Sequence, residues 1–237
     1  MSRSVNAEPE PGAVRAMFDR IAGSYDLLNS LMTAGLHHRW RDLAVMLARV
    51  GPGARVLDVC CGTGDVAFAL KRAVGEEGRV IGLDFSAHML EVAREKCGKN
   101  QLFVDFMLGD ALTLPFADGS FDACTVGFGI RNVQDISAAF AEMGRVCRPG
   151  ARVVCLEITH PQVPGFRQFY GFWFDRVVPW LGRLTSRDLS AYSYLPASVK
   201  RFPGPDALLG LMEKAGLRHA RYELLAGGII AIHHAYV

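Results

Sequence analysis

From residue 55 onward, short β-branched runs alternate with amphipathic stretches of helix length, a pattern that predicts βαβ units stacked into a parallel sheet. The runs that read as strands are Arg55–Cys60, Arg79–Asp84, Leu102–Leu108, Phe121–Gly127 and Ala151–Ile158. A helix is expected between each successive pair of strands, the first at Asp65–Val74, the second at Ala87–Lys96 and the fourth at Ile136–Cys147, the last stopped by Arg148-Pro149-Gly150. A further helix spans Asp206–Ala215 and ends at Gly216. Two tail runs, Arg218–Leu225 and Gly228–Tyr236, flank Ala226-Gly227 and read as neighbouring antiparallel strands. Two segments break the pattern. Residues 12–50 read as helices, with Val14, Met17, Phe18 and Ile21 at helical spacing and Pro52 closing the segment. Residues 160–203, rich in proline and with seven aromatics among positions 166–180, read as a cap inserted over the sheet.

Half of the 237 positions are apolar, enough to bury one substantial core, so a single α/β domain over residues 12–237 is expected after a flexible 1–11. The net charge is +2 and no Lys/Arg run exceeds two residues, which argues against a nucleic-acid partner. Without a signal-peptide pattern or eighteen uninterrupted apolar residues, the chain is expected in the cytoplasm. Six cysteines include one adjacent pair and no C-x-x-C; they read as reduced, mostly buried thiols, and no metal site is expected.

Candidate chemistry gathers at the ends of the first three strands. In Leu57-Asp58-Val59-Cys60-Cys61-Gly62-Thr63-Gly64-Asp65, Gly62 and Gly64 allow a sharp turn and close approach of a ligand to the main chain. Asp84 ends the second strand about twenty residues later, where a carboxylate can accept bonds from two ribose hydroxyls. Asp110 and Ala111 follow the third strand, placed to read an adenine edge. In an open parallel sheet these three loops share one crevice. Any one of the acids alone is more often a helix cap than a ligand contact. Gly62-Thr63-Gly64-Asp65-Val66-Ala67 also satisfies the G-x-G-x-x-A dinucleotide fingerprint, which keeps a nicotinamide-dependent oxidoreductase open, as well as a nucleoside-binding regulator. Against a dinucleotide stands Asp65, whose charge at the helix mouth would oppose a pyrophosphate yet tolerate a sulfonium.

Several stretches outside this generic pattern resemble the ubiquinone/menaquinone biosynthesis C-methyltransferases. They are Met17-Phe18-Asp19-Arg20-Ile21-Ala22, Tyr25-Asp26-Leu27-Leu28-Asn29, Gly35-Leu36-His37 with Trp40-Arg41, Phe128-Gly129-Ile130-Arg131-Asn132-Val133, and Tyr192-Ser193-Tyr194-Leu195-Pro196 with Ser198. The resemblance runs from about Val14 to the C-terminus. It implies a Rossmann-like class I methyltransferase fold, a mostly parallel seven-stranded sheet ending in an antiparallel strand, with S-adenosylmethionine as cofactor. Carried over by position, the cofactor residues are Thr63, Asp84, Asp110 and Ala111; Gly62, Gly64 and Asp58 join them from the reading of the turn. Two departures are Cys60-Cys61, where relatives often have a small residue and a glycine, and Gly127, where a serine is frequent.

The implied reaction is methyl transfer to a ring carbon of a prenylated quinol, with demethylmenaquinol favoured over a ubiquinol precursor. For the proton of the quinol hydroxyl the candidates are Arg131, Asn132, His37, Tyr25, Tyr192 and Tyr194. Arg131 ranks first, stabilising the phenolate directly or through a water, and His37 second, as a base. The plain alternatives are an Arg131–carboxylate pair, a capping His37 and packed tyrosines. The aromatic insert reads equally as core packing and as a quinone lid or peripheral membrane surface. A homo-oligomer is compatible with all of this.

Overall fold

The computed structural model describes residues 11–160 and 189–237. The expected flexible residues 1–10 and the aromatic run 166–180 lie outside them. Seven strands form one sheet: β1 (Arg55–Val59), β2 (Arg79–Asp84), β3 (Asp105–Leu108), β4 (Phe121–Gly127), β5 (Cys147–Ile158), β6 (Arg218–Leu225) and β7 (Ile230–Tyr236), in the order β3-β2-β1-β4-β5-β7-β6. β7 is antiparallel to both neighbours and the other pairings are parallel. The order reverses between β1 and β4, and a crevice opens beyond the carboxyl ends of strands at such a point.

The central strands form because their near-continuous apolar runs can be covered on both faces. α4 (Asp65–Val74) and α3 (Leu36–Ala48) cover one side, with Val56, Phe68, Leu70, Val80, Val154 and Ile232 in its core. α6 (Ile136–Val146) and α8 (Pro205–Lys214) cover the other, with Leu57, Phe121, Phe140, Met143 and Met212. α1 (Pro11–Ile21) sets Val14, Met17, Phe18 and Ile21 against Met89 of α5 (Ala87–Asn100), as the helical spacing requires. A 3-10 turn and α2 (Tyr25–Thr33) lead from α1 into α3. Within the expected cap, α7 (Leu189–Arg201) is described and packs on α1. Among the described residues no helix is long and apolar enough to cross a membrane.

Three expectations are corrected. β3 starts at Asp105 rather than Leu102; it is an edge strand with Phe103 just before it 85% exposed, so the apolar run is only partly taken up in pairing. Residues 109–120 between β3 and β4 form turns, with no helix. Arg148-Pro149-Gly150 does not part α6 from its strand: β5 begins at Cys147, opposite Phe121, and the pairing slips before Arg152. Gly150 absorbs the slip with φ +82° while its N–H donates to Val237 O at 3.0 Å. The remaining boundaries differ by a few residues, the largest being the extension of α5 from Lys96 to Asn100.

Candidate active site

The crevice at the switch point holds about 500 Å³ of open space, its solvent-filled mouth included. Its floor is the turn from β1 into α4, with Cys60, Cys61, Gly62 and Thr63; Asp84 and Phe85 form one side, and Gly127, Phe128 and Gly129 the other. Phe18, Tyr25 and Arg41 close it from the N-terminal helices.

The turn is possible because Gly62 and Gly64 sit at φ +55° and +86°, where a side chain is strained. At Gly64 a Cβ would also lie 2.9 Å from the ring of Phe106. Asp84 is buried and locked in place: one carboxylate oxygen accepts from Gly62 N at 2.8 Å, the other from Ser86 N at 2.9 Å. Burial pushes its carboxyl up to about 6, against those hydrogen bonds. Beneath the turn, Asp58 is fully buried, accepts from Thr125 Oγ1 at 2.6 Å, and keeps Oδ2 without a partner; burial raises it to about 7. Burial and the neighbouring acids push the Cys60 and Cys61 thiols well up, leaving them protonated and unreactive, as expected of structural cysteines.

Asp110 and Ala111 do not line the crevice. Asp110 is exposed at the rim and turns inward on its own loop, accepting from Leu112 N at 2.9 Å, while Ala111 packs in the core. Thr63 lines the floor, its hydroxyl donating to Asp26 Oδ1 of α2 at 2.6 Å. Lys96 of α5 bonds Asp26 Oδ2 at 2.7 Å and also Asp65, whose other oxygen pairs with Arg41 Nη1 at 2.6 Å. That Arg41 contact is an ion pair without hydrogen-bond alignment, and Arg41 Nε has no partner. Burial works against the charge of Asp65, but Arg41 and Lys96 hold its carboxyl below the usual range. Asp65 therefore does not stand at the helix mouth as a bare negative charge, and, paired with Arg41 and Lys96, it does not bar a pyrophosphate.

Beyond Phe128 and Gly129 lies a second polar group. Arg131 is buried and pairs through Nη1 with Glu157 Oε1 at 2.8 Å; Nη1 also donates to Phe128 O. The carboxylate partner anticipated as the plain alternative for Arg131 is thus present. Asn132 Oδ1 accepts from the Tyr194 hydroxyl at 2.8 Å, tying α7 to the 3-10 turn Ile130–Asn132. Tyr25 has its phenol raised by burial, opposed by Arg131. Arg131, Asn132 and Tyr194 are thus brought together behind the wall of the crevice and are not among its lining residues. His37 stands apart: it is buried, within 2.7 Å of Thr33 Oγ1 through Nδ1, and stacked on His38. Burial, Arg41 and His38 lower it to about 4. The side chain of Tyr192 lies outside the described residues.

The residues missed from sequence are Arg41, Asp26 with Lys96, and Glu157. Two carried a readable signal. Arg41 lies on the buried stripe of α3 with His37, Ala44, Val45 and Ala48, and Glu157 interrupts the apolar run Val153-Val154-Cys155-Leu156. A charge at a core position needs a partner, and points to one.

The sequence profile of the ubiE/COQ5 methyltransferase family matches residues 4–237. The demethylmenaquinone methyltransferase of Bacillus licheniformis is 42% identical over 220 residues, 93% of this chain and 94% of that protein. Among solved structures, the [4+2]-cyclase SpnF superposes with a TM-score of 0.71 at 18% identity, covering 99% of this chain and 98% of its own. A SAM-dependent methyltransferase from Aquifex aeolicus gives 0.61 at 18% identity, covering 96% and 98%. The two structural likenesses establish the fold; one of them is a cyclase, so the fold by itself does not fix the chemistry.

Proposed function

The chain belongs to the ubiE/COQ5 methyltransferase family, and from that premise we propose that it methylates a ring carbon of demethylmenaquinol, with S-adenosylmethionine as donor. The observation that carries this reading is that the likeness spans 93% of the chain, so it includes the N-terminal helices and α7 as well as the sheet common to the fold. Family membership also sets aside the nicotinamide reading of Gly62–Ala67 and the non-enzymatic nucleoside binder.

The residues present fit the donor. Asp58 offers a buried carboxylate oxygen with no partner. The Asp84 oxygens each spend one lone pair on a backbone N–H and keep another for a ribose hydroxyl. Gly127 leaves a cradle in which a Cβ would meet Val66 Cγ2 at 2.8 Å, so Val66 occupies the room that the serine of relatives would need. In this reading Asp84, Thr63, Gly62 and Asp58 hold the donor, Gly64 shapes the turn, and the loop carrying Asp110 and Ala111, outside the crevice lining, is the segment that would have to approach the base. Bound S-adenosylmethionine supplies an electrophilic methyl on a sulfonium.

The protein's part is positioning and charge. Holding the ring carbon in line contributes roughly 7 to 11 kcal/mol. Ionising a phenol with a pKa near 10 at neutral pH costs about 4 kcal/mol, the most that proton management can recover. Phe18, Met89 and Phe128 keep water from the reacting atoms. Arg131, always charged, is the group that stabilises the phenolate with its N–H donors; Tyr25, on the crevice lining, orients the ring, and the Tyr194–Asn132 hydrogen bond holds the turn that carries Arg131. His37, lowered to about 4 and set apart from the crevice beside Thr33 and His38, is the weaker candidate for the base.

The prenyl tail implies work at the cytoplasmic face of a membrane. Leu27 and Leu31, exposed on the helix that carries Tyr25, suit that approach, and vesicle sedimentation of Leu27→Ser/Leu31→Ser should show weakened binding. The decisive assay offers labelled donor with reduced demethylmenaquinone and, separately, a demethylated ubiquinol precursor. Label is expected in the first. Label in neither, with donor binding intact, refutes the proposal.

A further inference from the structure

Glu157 is an acid in the wrong place for a structural strand. In β5 the residues from Ala151 to Leu156 are all buried and, Arg152 aside, apolar; Glu157 follows them at 1% exposure. A buried ion pair is a poor device for stability, since apolar residues of the same volume often serve as well or better. Its geometry is specific nonetheless. Oε1 accepts from Arg131 Nη1 at 2.8 Å and from Ile158 N at 2.8 Å, so the carboxylate is itself fixed by the strand end. Oε2 faces the backbone N–H of Arg131 at 3.4 Å. With Phe128 O as second acceptor, Nη1 is held from two directions and the guanidinium plane is set. Arg131 Nε remains buried without a partner, a donor kept free three residues after the wall residue Phe128.

We infer that Glu157 is a positioning residue for the methyl-transfer reaction, fixing the guanidinium of Arg131 so that its remaining donors meet the quinol oxygen as that oxygen becomes negative. The inference rests on the proposed reaction. Glu157 touches neither donor nor ring and acts through Arg131. It also offsets the charge of Arg131, so the quinol meets a balanced pair rather than a bare cation. The other groups facing Arg131 are Tyr25 from α2 and Tyr194 from α7, with Arg41 of α3 acting on Tyr25.

The test compares wild type, Glu157→Gln, Arg131→Lys and the double variant, with kcat expressed per donor-binding site titrated by calorimetry. Glu157→Gln should lower kcat per site at least tenfold with the donor Kd within threefold of wild type. Added to Arg131→Lys it should cost less than threefold further, because the two act as one unit. With the balancing carboxylate gone, the acidic limb of the kcat profile should move to lower pH. A purely structural Glu157 would leave kcat per site and the pH limb unchanged and reduce only the folded fraction; that result overturns the inference, as do additive losses. If Glu157→Gln does not fold, Glu157→Asp, which keeps the buried charge but withdraws it by one methylene, carries the same comparison. Wild type that binds donor and methylates no quinol would instead sink the proposed reaction.

Discussion

The two walls of the crevice are built by different means. On the donor side the main chain sets the geometry: left-handed glycines shape the turn, and two backbone N–H groups hold Asp84. On the far side a buried ion pair and tyrosines from helices outside the sheet gather around one short 3-10 turn. The first arrangement belongs to the turn after β1 and the end of β2; the second depends on pairing between the sheet and helices outside it. In the proposed reading the nucleoside is held by main-chain geometry, whereas the chemistry rests on long-range side-chain pairing that a single substitution can undo.

The contrast is sharpest at Arg131 and Asp84. Arg131→Lys keeps the charge and loses the planar fork, so kcat should fall by about 10²–10³-fold, the typical effect of removing an oxyanion donor, with donor Kd unchanged. Unaltered turnover would end the assignment of Arg131. Asp84→Asn should do the reverse. Two hydrogen bonds to a charged acceptor at about 1.5 kcal/mol each amount to roughly a hundredfold in donor Kd, measured by calorimetry. The donor-free Asp84 titrates at about 6 and only its ionised form accepts both hydroxyls, so wild-type affinity should rise with pH through 6 and level off above, with Asp58 extending the rise towards 7. Asp84→Asn should remove the component near 6. For folding the sign is opposite: both acids bind protons more tightly when folded, so the stability they contribute is present below their ordinary value of 3.8 and lost as pH rises through 6 and 7.

Gly127 tests the rigidity of the donor wall itself. Gly127→Ser places a Cβ 2.8 Å from Val66 Cγ2 on a helix that cannot easily retreat. Overpacking of this kind costs about 1–3 kcal/mol, visible as a lowered denaturation midpoint, and Val66→Ala should restore most of it. A fully stable Gly127→Ser would mean that this wall gives way more readily than its backbone suggests.

The same division governs what the sequence discloses. The strands, the glycine turn and Asp84 follow from short-range signals, namely period, turn residues and a fixed offset from the glycines. Partners across long separations do not. Arg131 is 26 residues from Glu157 and Thr63 is 37 from Asp26, and which side chain meets which is decided by packing. Asp65 shows the cost: read alone it is a negative charge at a helix mouth, and only the fold brings Arg41 and Lys96 to it. Asp110, correctly placed after β3, is exposed at the rim, because the loop that carries it turns back on its own N–H groups.

The smallest effect concerns the seam between the walls. Lys96 and Arg41 face Asp26 and Asp65, two cations against two anions, with the Thr63 hydroxyl held by Asp26. Lys96 and Asp26 are 22% and 37% exposed, so water screens the pair and its worth is about 1 kcal/mol or less. Lys96→Met should therefore weaken donor binding by about threefold to fivefold, and high salt should do much the same to the wild type. The double variant Asp26→Asn/Lys96→Met should lose less than the sum of the singles. A tenfold or larger loss from Lys96→Met alone would mean that α2, through Asp26 and Thr63, seats the donor directly; the N-terminal helices would then belong to both walls, and the separation of a main-chain donor wall from a side-chain reaction wall would fail at Thr63.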